Sequence, residues 1–406
     1  MSRIVLGVAG GIAAYKACLL LRRFTEAGHD VQVVPTQNSL NFVGAATWAA
    51  LSGHPVTASV FDNAEAVSHV RLGRDAELVV VAPATADLLA RAATGRADDL
   101  LTNVLLTARC PVVMAPAMHT EMWLHPATQA NVATLRSRGV VVLRPAEGRL
   151  TGADSGPGRL AEPEDIEATC LAVLADASAA ARMAAQDLHG QTVVISAGGT
   201  REALDPVRYV GNASSGLMGI ALARAAVQRG AEVTLVGANL NTEAPAGVRL
   251  VEVVSTADLA NAMADLAPSA DVVVMAAAPA DFTPVAPSSA KLKKAGDAGL
   301  TVEFRQTTDV LAGLAARRPS GQVVVGFAAE TAADEAELLE LGTAKLARKD
   351  CQVLVLNDVS GGAVFGAGDN RVQLITPRGL KGRVAGTKTT VAHAILDVAI
   401  AERNAQ

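Results

Sequence analysis

The hydrophobic residues of this chain are concentrated in short, uninterrupted runs that alternate with longer, Ala-rich stretches of mixed polarity. The runs are RIVLGV, VQVVP, ELVVVAPA, PVVMAPAM and GVVVLRP in the first half, and TVVISAG, AEVTLVGA, DVVVMAAA, VVVGFAAE and QVLVLND in the second. Continuous apolar runs are typical of parallel strands that are buried on both faces. The pattern therefore predicts parallel sheets whose strands are connected by helices.

The same order of features occurs twice. Each half starts with an apolar strand, a glycine turn and a helix, and continues with a Gly-initiated strand, a long loop and an apolar strand that ends in a Pro/Ala/Asp turn. An Ala-rich helix and a polar connector separate the halves, and we place the boundary around Gly190. The chain is predicted to be an α/β protein with two Rossmann-like, doubly wound parallel-sheet domains, spanning 1–178 and 190–406.

Composition and charge narrow the class of protein. Of 406 residues, 50% are hydrophobic and only 3% are aromatic, which suits small-residue strands packed between Ala-rich helices. The formal net charge is -5. This balance argues against a general nucleic-acid binder, because such a surface needs a wide cationic face.

Three features predict a cytoplasmic location. The four cysteines lie far apart without a CxxC pair, which indicates a reducing compartment and no structural zinc site. Arg3 and the apolar run after it resemble a signal peptide, but Lys16, Arg22 and Arg23 interrupt the run. No uncharged apolar run reaches about 18 residues, so we expect no membrane span.

The first strand leads into the turn GVAGGIAAYK, which is typical of a phosphate site but matches neither common glycine formula. A dinucleotide site needs GxGxxG and an acid after the second strand, whereas that strand ends in Pro35 and Thr36. A P-loop formula is also missing. A helix N-terminus with exposed amides suits a single phosphate, and TQNSLNFV supplies further polar groups. A tight turn without a ligand stays open as the alternative.

Five motifs of the first half follow one another in the order seen in a known family. They are GGIAAYK, VSHVRLG, APATADLLARAATGRADDLLT, MAPAMHTEMW and GPGR. Together they resemble the FMN-dependent cysteine decarboxylases, and among these the phosphopantothenoylcysteine decarboxylases of coenzyme A synthesis. The resemblance implies a flavodoxin-like domain that binds FMN, with His69 as an active-site histidine that acts while the cysteinyl thiol loses its proton.

The same resemblance implies where the cofactor lies. The FMN phosphate would bind at the glycine turn and the loop after the second strand, and a later turn would contact the flavin or a neighbouring subunit. The residues concerned are Gly10, Gly11, Ile12, Thr36, Asn38 and Ser39 for the phosphate, and Ala84, Thr85, Ala86 and Asp87 for the turn.

Two positions depart from the decarboxylase pattern. The family commonly reads PxMNxxMW, and its asparagine handles the substrate carboxylate; here His119 occupies that place and can still donate a hydrogen bond. The family's flap usually reads CGxxGxGR with cysteine as the final proton donor, whereas here Thr151 or Gly152 stands there. Thr151, Asp154 or water is then expected to protonate the product.

The second half contains an unusually long turn, SAGGTREALDPVRYVGNASSG, and a basic segment, KLKK. Ordinary strand–helix loops have about 2–6 residues, so the length indicates a shaped site. Lysines near glycine-rich strand ends suit a triphosphate, although a solvated loop would equally explain KLKK alone.

Nearly all of 190–400 resembles the phosphopantothenate–cysteine ligases. In that family CTP activates the phosphopantothenate carboxylate as an acyl-cytidylate, and the cysteine amine displaces CMP. The resemblance implies that Asn212 stabilises the acyl-cytidylate step and that Lys291 acts on the α-phosphate or in the second half-reaction. It implies CTP contacts from Asp281, Thr308, Asp309, Val310, Leu311, Phe327, Lys345 and Lys349.

Two further points concern charge in this half. Mg²⁺ is expected to be held chiefly by the phosphates of CTP, without a protein metal cage. The family often reads SSGKMG where this chain has SSGLMG, so Leu217 removes one cation near the substrate.

The resemblances predict a bifunctional enzyme that makes 4′-phosphopantetheine from 4′-phosphopantothenate, cysteine and CTP. The alternative is an active ligase joined to a non-catalytic flavoprotein half, which the missing flap cysteine keeps open. A glycosyltransferase or dehydrogenase with two Rossmann domains is disfavoured by the missing ribose acid. Because such decarboxylases are trimeric and such ligases dimerise, we expect a homo-oligomer that can close into a dodecamer.

Overall fold

A computed structural model describes residues 1–59, 68–149, 155–293, 299–358 and 369–405 of the chain. It divides into two compact units, Met1–Asp187 and Leu188–Gln406, which we call the first and second unit. The domain bounds 1–178 and 190–406 stay a prediction for the two catalytic regions. Among the described residues, no helix has the length and apolar character needed to cross a membrane.

The first unit contains a five-stranded parallel sheet in the order β2-β1-β3-β4-β5 and a separate hairpin, β6–β7. Its strands are β1 (Arg3–Val8), β2 (Asp30–Pro35), β3 (Leu78–Ala84), β4 (Val112–Pro116), β5 (Val141–Val142), β6 (Ala146–Arg149) and β7 (Ser155–Arg159). Its helices are α1 (Ala14–Glu26), α2 (Ala45–Ser52), α3 (Ser68–Asp75), α4 (Ala86–Thr94), α5 (Leu100–Thr107), α6 (Thr120–Leu124), α7 (Pro126–Ser137), α8 (Pro163–Ala175) and α9 (Ala177–Ala185), with a short 3₁₀ helix at Gln37–Asn41.

Alternate residues of β1 face two different helix layers. Ile4, Leu6 and Val8 pack with α1, α2, α8 and α9, whereas Val5 packs with α4, α5 and α7. A strand buried on both sides explains why the sequence shows a continuous apolar run. The strand order is the flavodoxin-like doubly wound order, whose direction reverses between β1 and β3.

The second unit is built around an eight-stranded sheet in the order β12-β11-β8-β13-β16-β17-β18-β19. Its strands are β8 (Thr192–Gly198), β9 (Arg201–Ala203), β10 (Tyr209–Gly211), β11 (Glu232–Ala238), β12 (Val248–Val253), β13 (Val272–Met275), β14 (Phe282–Pro284), β15 (Phe304–Gln306), β16 (Val323–Glu330), β17 (Val353–Asp358), β18 (Asp369–Thr376) and β19 (Gly379–Thr387). Its helices are α10 (Leu217–Gln228), α11 (Thr256–Leu266), α12 (Val310–Arg317), α13 (Glu335–Lys349) and α14 (Lys388–Arg403), with a 3₁₀ helix at Ala267–Ser269.

The first six strands of this sheet are parallel and reproduce the Rossmann order, which reverses between β8 and β13. One core joins the sheet to α10 and α14, and another joins its opposite face to α11, α12 and α13. The predicted fold class, two doubly wound α/β domains, is confirmed.

The far edge of the second sheet differs from the prediction of parallel strands only. There β18 pairs antiparallel with β17, and β19 pairs antiparallel with β18. Only Pro377 and Arg378 separate β18 from β19, and a parallel pair would need a crossover of about a dozen residues. The short turn therefore forces a hairpin.

Candidate active sites

The predicted phosphate residues of the first unit meet at the carboxyl edge of its sheet, beside the β1/β3 reversal point. A Cβ placed on Gly10 would lie 2.7 Å from the Asn38 Cβ, and a Cβ on Gly11 would lie 3.6 Å from the Thr85 Cγ2. The turn after β1 therefore touches the segments after β2 and β3. Ligands of open α/β sheets bind in the crevice outside such a reversal point.

The amide groups at the start of α1 fit an anion. No side chain caps this helix, and its first turn carries no acidic residue. Ile12, in the turn that leads into the helix, is 73% exposed. Uncapped N–H groups at a helix N-terminus attract phosphate through direct hydrogen bonds and through the helix dipole.

The loops on either side of this turn are rigidly held. Thr36 accepts a hydrogen bond from the Ser39 N–H at 3.3 Å, and the Ser39 hydroxyl donates to the Thr36 carbonyl at 2.7 Å. After β3, Thr85 caps α4 through the Leu88 N–H, and Ala84 and Ala86 flank it. These contacts pre-form a polar rim around the glycine turn.

Asp87 lies on the first turn of α4, and its carboxylate accepts from Arg91 at 3.0 Å. Arg91 also donates to Asp98 at 2.9 Å and to Asp99 at 2.7 Å. Burial opposes the charge of Arg91, but the hydrogen bonds from Asp99 and Asp98 raise the pKa of this guanidinium above its usual range. Asp87 is therefore part of an ion-pair cluster.

His69 lies on α3. Its carbonyl oxygen accepts from the Thr107 hydroxyl at 3.0 Å, and α3 packs closely on α5, where a Cβ on Gly73 would collide with Thr107. No hydrogen bond among the described residues joins the His69 ring to the glycine turn. The Thr107 hydroxyl thus fixes the main chain at His69, but no such hydrogen bond links the His69 ring to the turn that is proposed to hold the phosphate.

His119 does lie beside the flap hairpin. It is the N-cap residue of α6, its ring is exposed, and the preceding Met118 donates its N–H to the Gly158 carbonyl of β7 at 3.0 Å. Glu162, just after β7, accepts from Lys16 of α1 at 2.8 Å. The base of the hairpin is thereby tied both to the segment that carries His119 and to α1. Thr151, Gly152 and Asp154 lie outside the described residues, as does Lys294 of the KLKK segment.

In the second unit, a cavity of about 720 Å³ lies at the carboxyl edge of the sheet, at the β8/β13 reversal point. It is lined by the segment that leads into α10, by the loop after β13, by the start of α12 and by α13. Nine of the residues that the sequence singles out line this cavity: Asn212, Asp281, Thr308, Asp309, Val310, Leu311, Phe327, Lys345 and Lys349.

A buried hydroxyl network shapes the loop after β13. The Thr200 hydroxyl accepts from the Ala280 N–H at 2.7 Å and contacts the Thr256 hydroxyl at 2.9 Å. Asn212 donates its side-chain N–H to the Pro279 carbonyl at 2.8 Å. A non-glycine residue at Gly198, where φ is +87°, would collide with the Ala238 carbonyl. The strand-end turn and the loop are therefore locked together around Asn212.

The cations on α13 are paired with carboxylates in this structure. Lys345 Nζ lies 2.7 Å from Glu330 Oε1, and Lys349 forms a close ion pair with Asp309. Burial raises the pKa of the Asp309 carboxyl, but the Lys349 ammonium and the Ala312 N–H outweigh it and leave that pKa below its usual range. For a triphosphate to contact Lys345 and Lys349, its phosphates would have to replace Glu330 and Asp309 as partners of these lysines, or bind beside the carboxylates.

The cavity extends over both faces of the sheet. Lys345 and Lys349 belong to α13, on the face covered by α11, α12 and α13. Phe327 instead packs with the core shared by α10 and α14. The residues predicted to contact CTP are thus divided between the two faces.

Lys291 is exposed and is not among the residues that line the cavity. Its neighbour Leu292 donates its N–H to Asp205 at 3.1 Å, and Arg208 donates to the Leu292 carbonyl at 3.0 Å. Burial opposes ionisation of Asp205, but the N–H groups of Val207 and Arg208, with Leu292, lower the pKa of this carboxyl. This clamp fixes the start of the KLKK segment outside the cavity.

Several residues of the second site were not found from the sequence. Thr200, Thr256 and Asp205 act through hydrogen bonds between distant segments, and Asn357, Asn370 and Lys388 line the cavity from the last part of the unit. One available signal was the polar pair Asn357-Asp358 at the end of an apolar run, since strand ends meet at one edge of a parallel sheet.

Comparison with known proteins covers both units. The family described as "Flavoprotein" matches residues 1–175, and the one described as "DNA/pantothenate metabolism flavoprotein C-terminal domain" matches residues 188–402. The coenzyme A biosynthesis bifunctional protein CoaBC of Mycobacterium tuberculosis (strain H37Rv) is 53% identical over 405 residues, which cover 98% of this chain and 96% of that protein.

Less similar proteins of the same name occur in other bacteria. The CoaBC protein of Vibrio parahaemolyticus is 41% identical over 399 residues, covering 97% of each chain. The CoaBC protein of Bacillus subtilis is 41% identical over 382 residues, covering 93% of this chain and 91% of that protein. The resemblance inferred from the motifs is confirmed, and the chain belongs to the family of coenzyme A biosynthesis bifunctional proteins, with a flavoprotein domain followed by the DNA/pantothenate metabolism flavoprotein C-terminal domain.

Proposed function

We propose that the second unit joins 4′-phosphopantothenate to cysteine at the expense of CTP, and that the first unit decarboxylates the product with FMN. The observation that carries the ligase assignment is the cavity that gathers Asn212, Asp309, Lys345 and Lys349 at the β8/β13 reversal point. Its position agrees with where nucleotides bind in this fold. The substrates are small metabolites, and we propose that the protein acts on them in the cytoplasm.

The ligase reaction needs positive charge at the leaving group. The substrate carboxylate attacks the α-phosphorus of CTP, pyrophosphate leaves, and the cysteine amine then displaces CMP to form an amide. Lys345 and Lys349 would stabilise the charge that develops on pyrophosphate, and Asn212 would hold the acyl oxygen. Mg²⁺ would bind as a complex with the triphosphate. Among the described residues, no cluster of His, Cys, Asp or Glu could hold the ion by itself.

Lys291 needs a movement to take part. The N–H of its neighbour Leu292 donates to Asp205 at 3.1 Å, so Lys291 can reach the cavity only after this contact is released. We assign Lys291 to the α-phosphate or to the second half-reaction, after its ammonium has moved towards the cavity. Lid movements of this kind complete many active sites only when substrate is bound.

In the first unit, the N-terminal amides of α1 would hold the phosphate of FMN, since amides at a helix N-terminus attract anions. Gly10 allows the turn to lie against Asn38, because a Cβ there would come within 2.7 Å of the Asn38 Cβ. Bound FMN would supply reversible hydride transfer at this site. His69 would take the thiol proton, and His119, beside the flap hairpin, would donate to the substrate carboxylate.

The decarboxylase site needs more than one copy of the chain in this proposal. The decarboxylases that the first half resembles hold FMN near subunit interfaces, so we propose that a second copy of the chain contributes to each site. A cyclic assembly repeats the same contact at every site. We therefore propose a homo-oligomer, with decarboxylase trimers and ligase dimers that can close into a dodecamer.

Incubation of the full chain with 4′-phosphopantothenate, cysteine, CTP and Mg²⁺ tests the proposal. The expected products are pyrophosphate, CMP, carbon dioxide and 4′-phosphopantetheine, and the isolated protein should carry FMN. Accumulation of the cysteine adduct without carbon dioxide would support the ligase and reject the decarboxylase. Absence of CTP-dependent pyrophosphate release would reject the ligase.

A further inference from the structure

Three charged side chains meet at the base of the flap hairpin, β6–β7, and none of the proposed chemical steps uses them. Both carboxylate oxygens of Glu162, just after β7, accept from Lys16 Nζ at 2.8 Å. Glu162 Oε1 also accepts from Arg159 Nη2 at 3.0 Å. Glu162 therefore joins a cation of α1 to a cation of β7, and we call these three residues the Glu162 network.

Glu162 occupies the N-cap position of α8 without capping that helix. Its side chain makes no capping hydrogen bond to α8, and Pro163 follows it. N-cap positions favour Ser, Thr, Asp and Asn, whose short side chains reach the first N–H groups of a helix. A residue that departs from such a local preference is expected to act elsewhere in the fold. Here the carboxylate is bonded to Lys16 and Arg159 instead of to its own helix.

Lys16 has an equally unusual position. It lies in the first turn of α1, where the helix dipole disfavours a cation, and its side chain is only 13% exposed. A cation in this place needs a carboxylate partner, and Glu162 supplies one through both of its oxygens. Isolated surface ion pairs contribute little, whereas a network with such two-point contacts can hold a defined geometry. The Glu162 network therefore fixes β7 relative to the end of α1 that follows the glycine turn.

The opposite side of the hairpin packs directly on the segment that carries His119. A Cβ on Gly156 would lie 2.6 Å from Thr120 Oγ1, and a Cβ on Gly158 would collide with the Met118 carbonyl oxygen. The Gly158 carbonyl also accepts from the Met118 N–H at 3.0 Å. Because these two glycines have no side chain, the main chain of β7 lies against the residues on both sides of His119. A displacement of β7 would therefore remove the support of His119.

We propose that Glu162 is a positioning residue for decarboxylation. It anchors Arg159 to Lys16 at the start of α1 and so holds β7 against the segment of His119. The proposal rests on the decarboxylase function proposed for the first unit. It makes the position of the hairpin depend on the same helix whose N-terminal amides would hold the flavin phosphate. Glu162 itself contacts neither substrate nor flavin and acts through β7.

Two substitutions in the full chain separate this role from a structural one. Glu162→Asp keeps the charge and is a favourable N-cap, but its shorter carboxylate reaches the first N–H groups of α8 in place of Lys16. Glu162→Gln keeps the length and removes the charge. Both should lower kcat/KM for decarboxylation of supplied phosphopantothenoylcysteine by about 10-fold, as expected when a charge-assisted hydrogen bond is lost. The melting temperature of Glu162→Asp should not fall, and ligation and FMN content should stay unchanged in both variants.

Glu164 provides the matched control. It lies on α8, and its carboxylate accepts from Arg23 Nη1 of α1 at 2.8 Å. Glu164→Gln therefore removes an ion pair between the same two helices without affecting the hairpin, and its kcat/KM should equal that of the unaltered chain. Lys16→Gln should reproduce the loss seen in Glu162→Gln. The double variant should lose no more than either single one, because both changes break the same network.

Hydrogen–deuterium exchange measures the docking of the hairpin without substrate. The Met118 amide, which donates to Gly158, should exchange faster in both Glu162 variants than in the unaltered chain or in Glu164→Gln.

Three results would overturn the proposal. An unchanged exchange rate at Met118 would show that the network does not hold the hairpin, and full decarboxylation by Glu162→Asp would reduce Glu162 to a helix-start residue. A loss of FMN that accounts for the whole loss of activity would assign the network to the cofactor instead. Failure of the proposed function is recognised separately, because the unaltered chain itself would then release no carbon dioxide from the supplied substrate.

Discussion

The two units place similar glycine turns at similar reversal points, but they build their sites differently. In the second unit, one cavity of about 720 Å³ gathers residues from the loops after β8 and β13 and from α12 and α13. In the first unit, the glycine turn and its rim are formed, whereas His69 lies on α3 without a hydrogen bond to them. Most of the predicted ligase residues thus line one cavity of the second unit, whereas no hydrogen bond among the described residues joins His69 to the glycine turn of the first unit.

The largest expected effect comes from His69. His69→Asn should lower decarboxylation by about 10²- to 10⁴-fold, because the thiol loses its general base, while ligation continues and the cysteine adduct accumulates. Carbon dioxide release and adduct are measured separately. His189→Asn is the control, since His189 is exposed; loss of both activities in His69→Asn would break the division between the units.

Lys291 gives the reciprocal experiment. Lys291→Ala should lower CTP-dependent adduct formation by about 10²- to 10³-fold through lost charge stabilisation, and decarboxylation of supplied adduct should survive. Pyrophosphate release reports the first step. Lys381→Ala serves as the control, and an unchanged ligation rate would show that the exposed Lys291 never enters the cavity.

Gly10 tests the phosphate seat of the first unit. Gly10→Ala places a Cβ 2.7 Å from Asn38 Cβ, and the required shift should cost about 1–3 kcal/mol of FMN binding. Flavin content after dialysis, read from visible absorbance, should fall while ligation stays intact. Gly44→Ala is the matched control because a Cβ there meets nothing within 4 Å. Full flavin retention in Gly10→Ala would remove the turn from the FMN site.

Thr200 tests how tightly the ligase loop is pre-formed. Thr200→Val leaves the Ala280 N–H without its 2.7 Å acceptor and should cost about 1–3 kcal/mol of unfolding free energy. The kcat of ligation should fall and flavin content should stay constant. Thr234→Val on β11 is the control. A stability loss without any change in kcat would limit the network to a structural role.

Substitution of Asp205 should give the smallest effect, a loss of thermal stability that depends on pH. Its pKa is lowered in the folded chain, so its contribution to stability is present above the unfolded value of about 3.9 and is lost as pH falls through the folded value. Asp205→Asn should therefore lower the melting temperature near neutral pH, and the difference from the unaltered chain should narrow in acid. A difference that is constant with pH would contradict this sign.

The sequence predicted the repeated elements well because buried parallel strands leave continuous apolar runs such as LVVVAPA. It missed the antiparallel edge because the turn at Pro377 and Arg378, which decides strand direction, is only two residues long. It did not reveal the Thr200–Thr256 contact, or that Lys388 and Asn370 line one cavity with Asn212, since these residues are distant in the chain and meet only after the sheet is assembled. Lys291 is the opposite case, because its motif is recognisable in the sequence. Its position outside the cavity depends on the hydrogen bond between Leu292 and Asp205, which the sequence does not reveal.

The central claim is that two separate active sites act in sequence on one substrate. It is tested most directly by mixing His69→Asn and Lys291→Ala proteins that were purified apart, and by measuring 4′-phosphopantetheine formed from 4′-phosphopantothenate, cysteine and CTP. Each variant alone should make little product, and the mixture should make it readily because the released adduct passes from one protein to the other. A mixture as inactive as its components, although both retain their fold and FMN, would contradict the account.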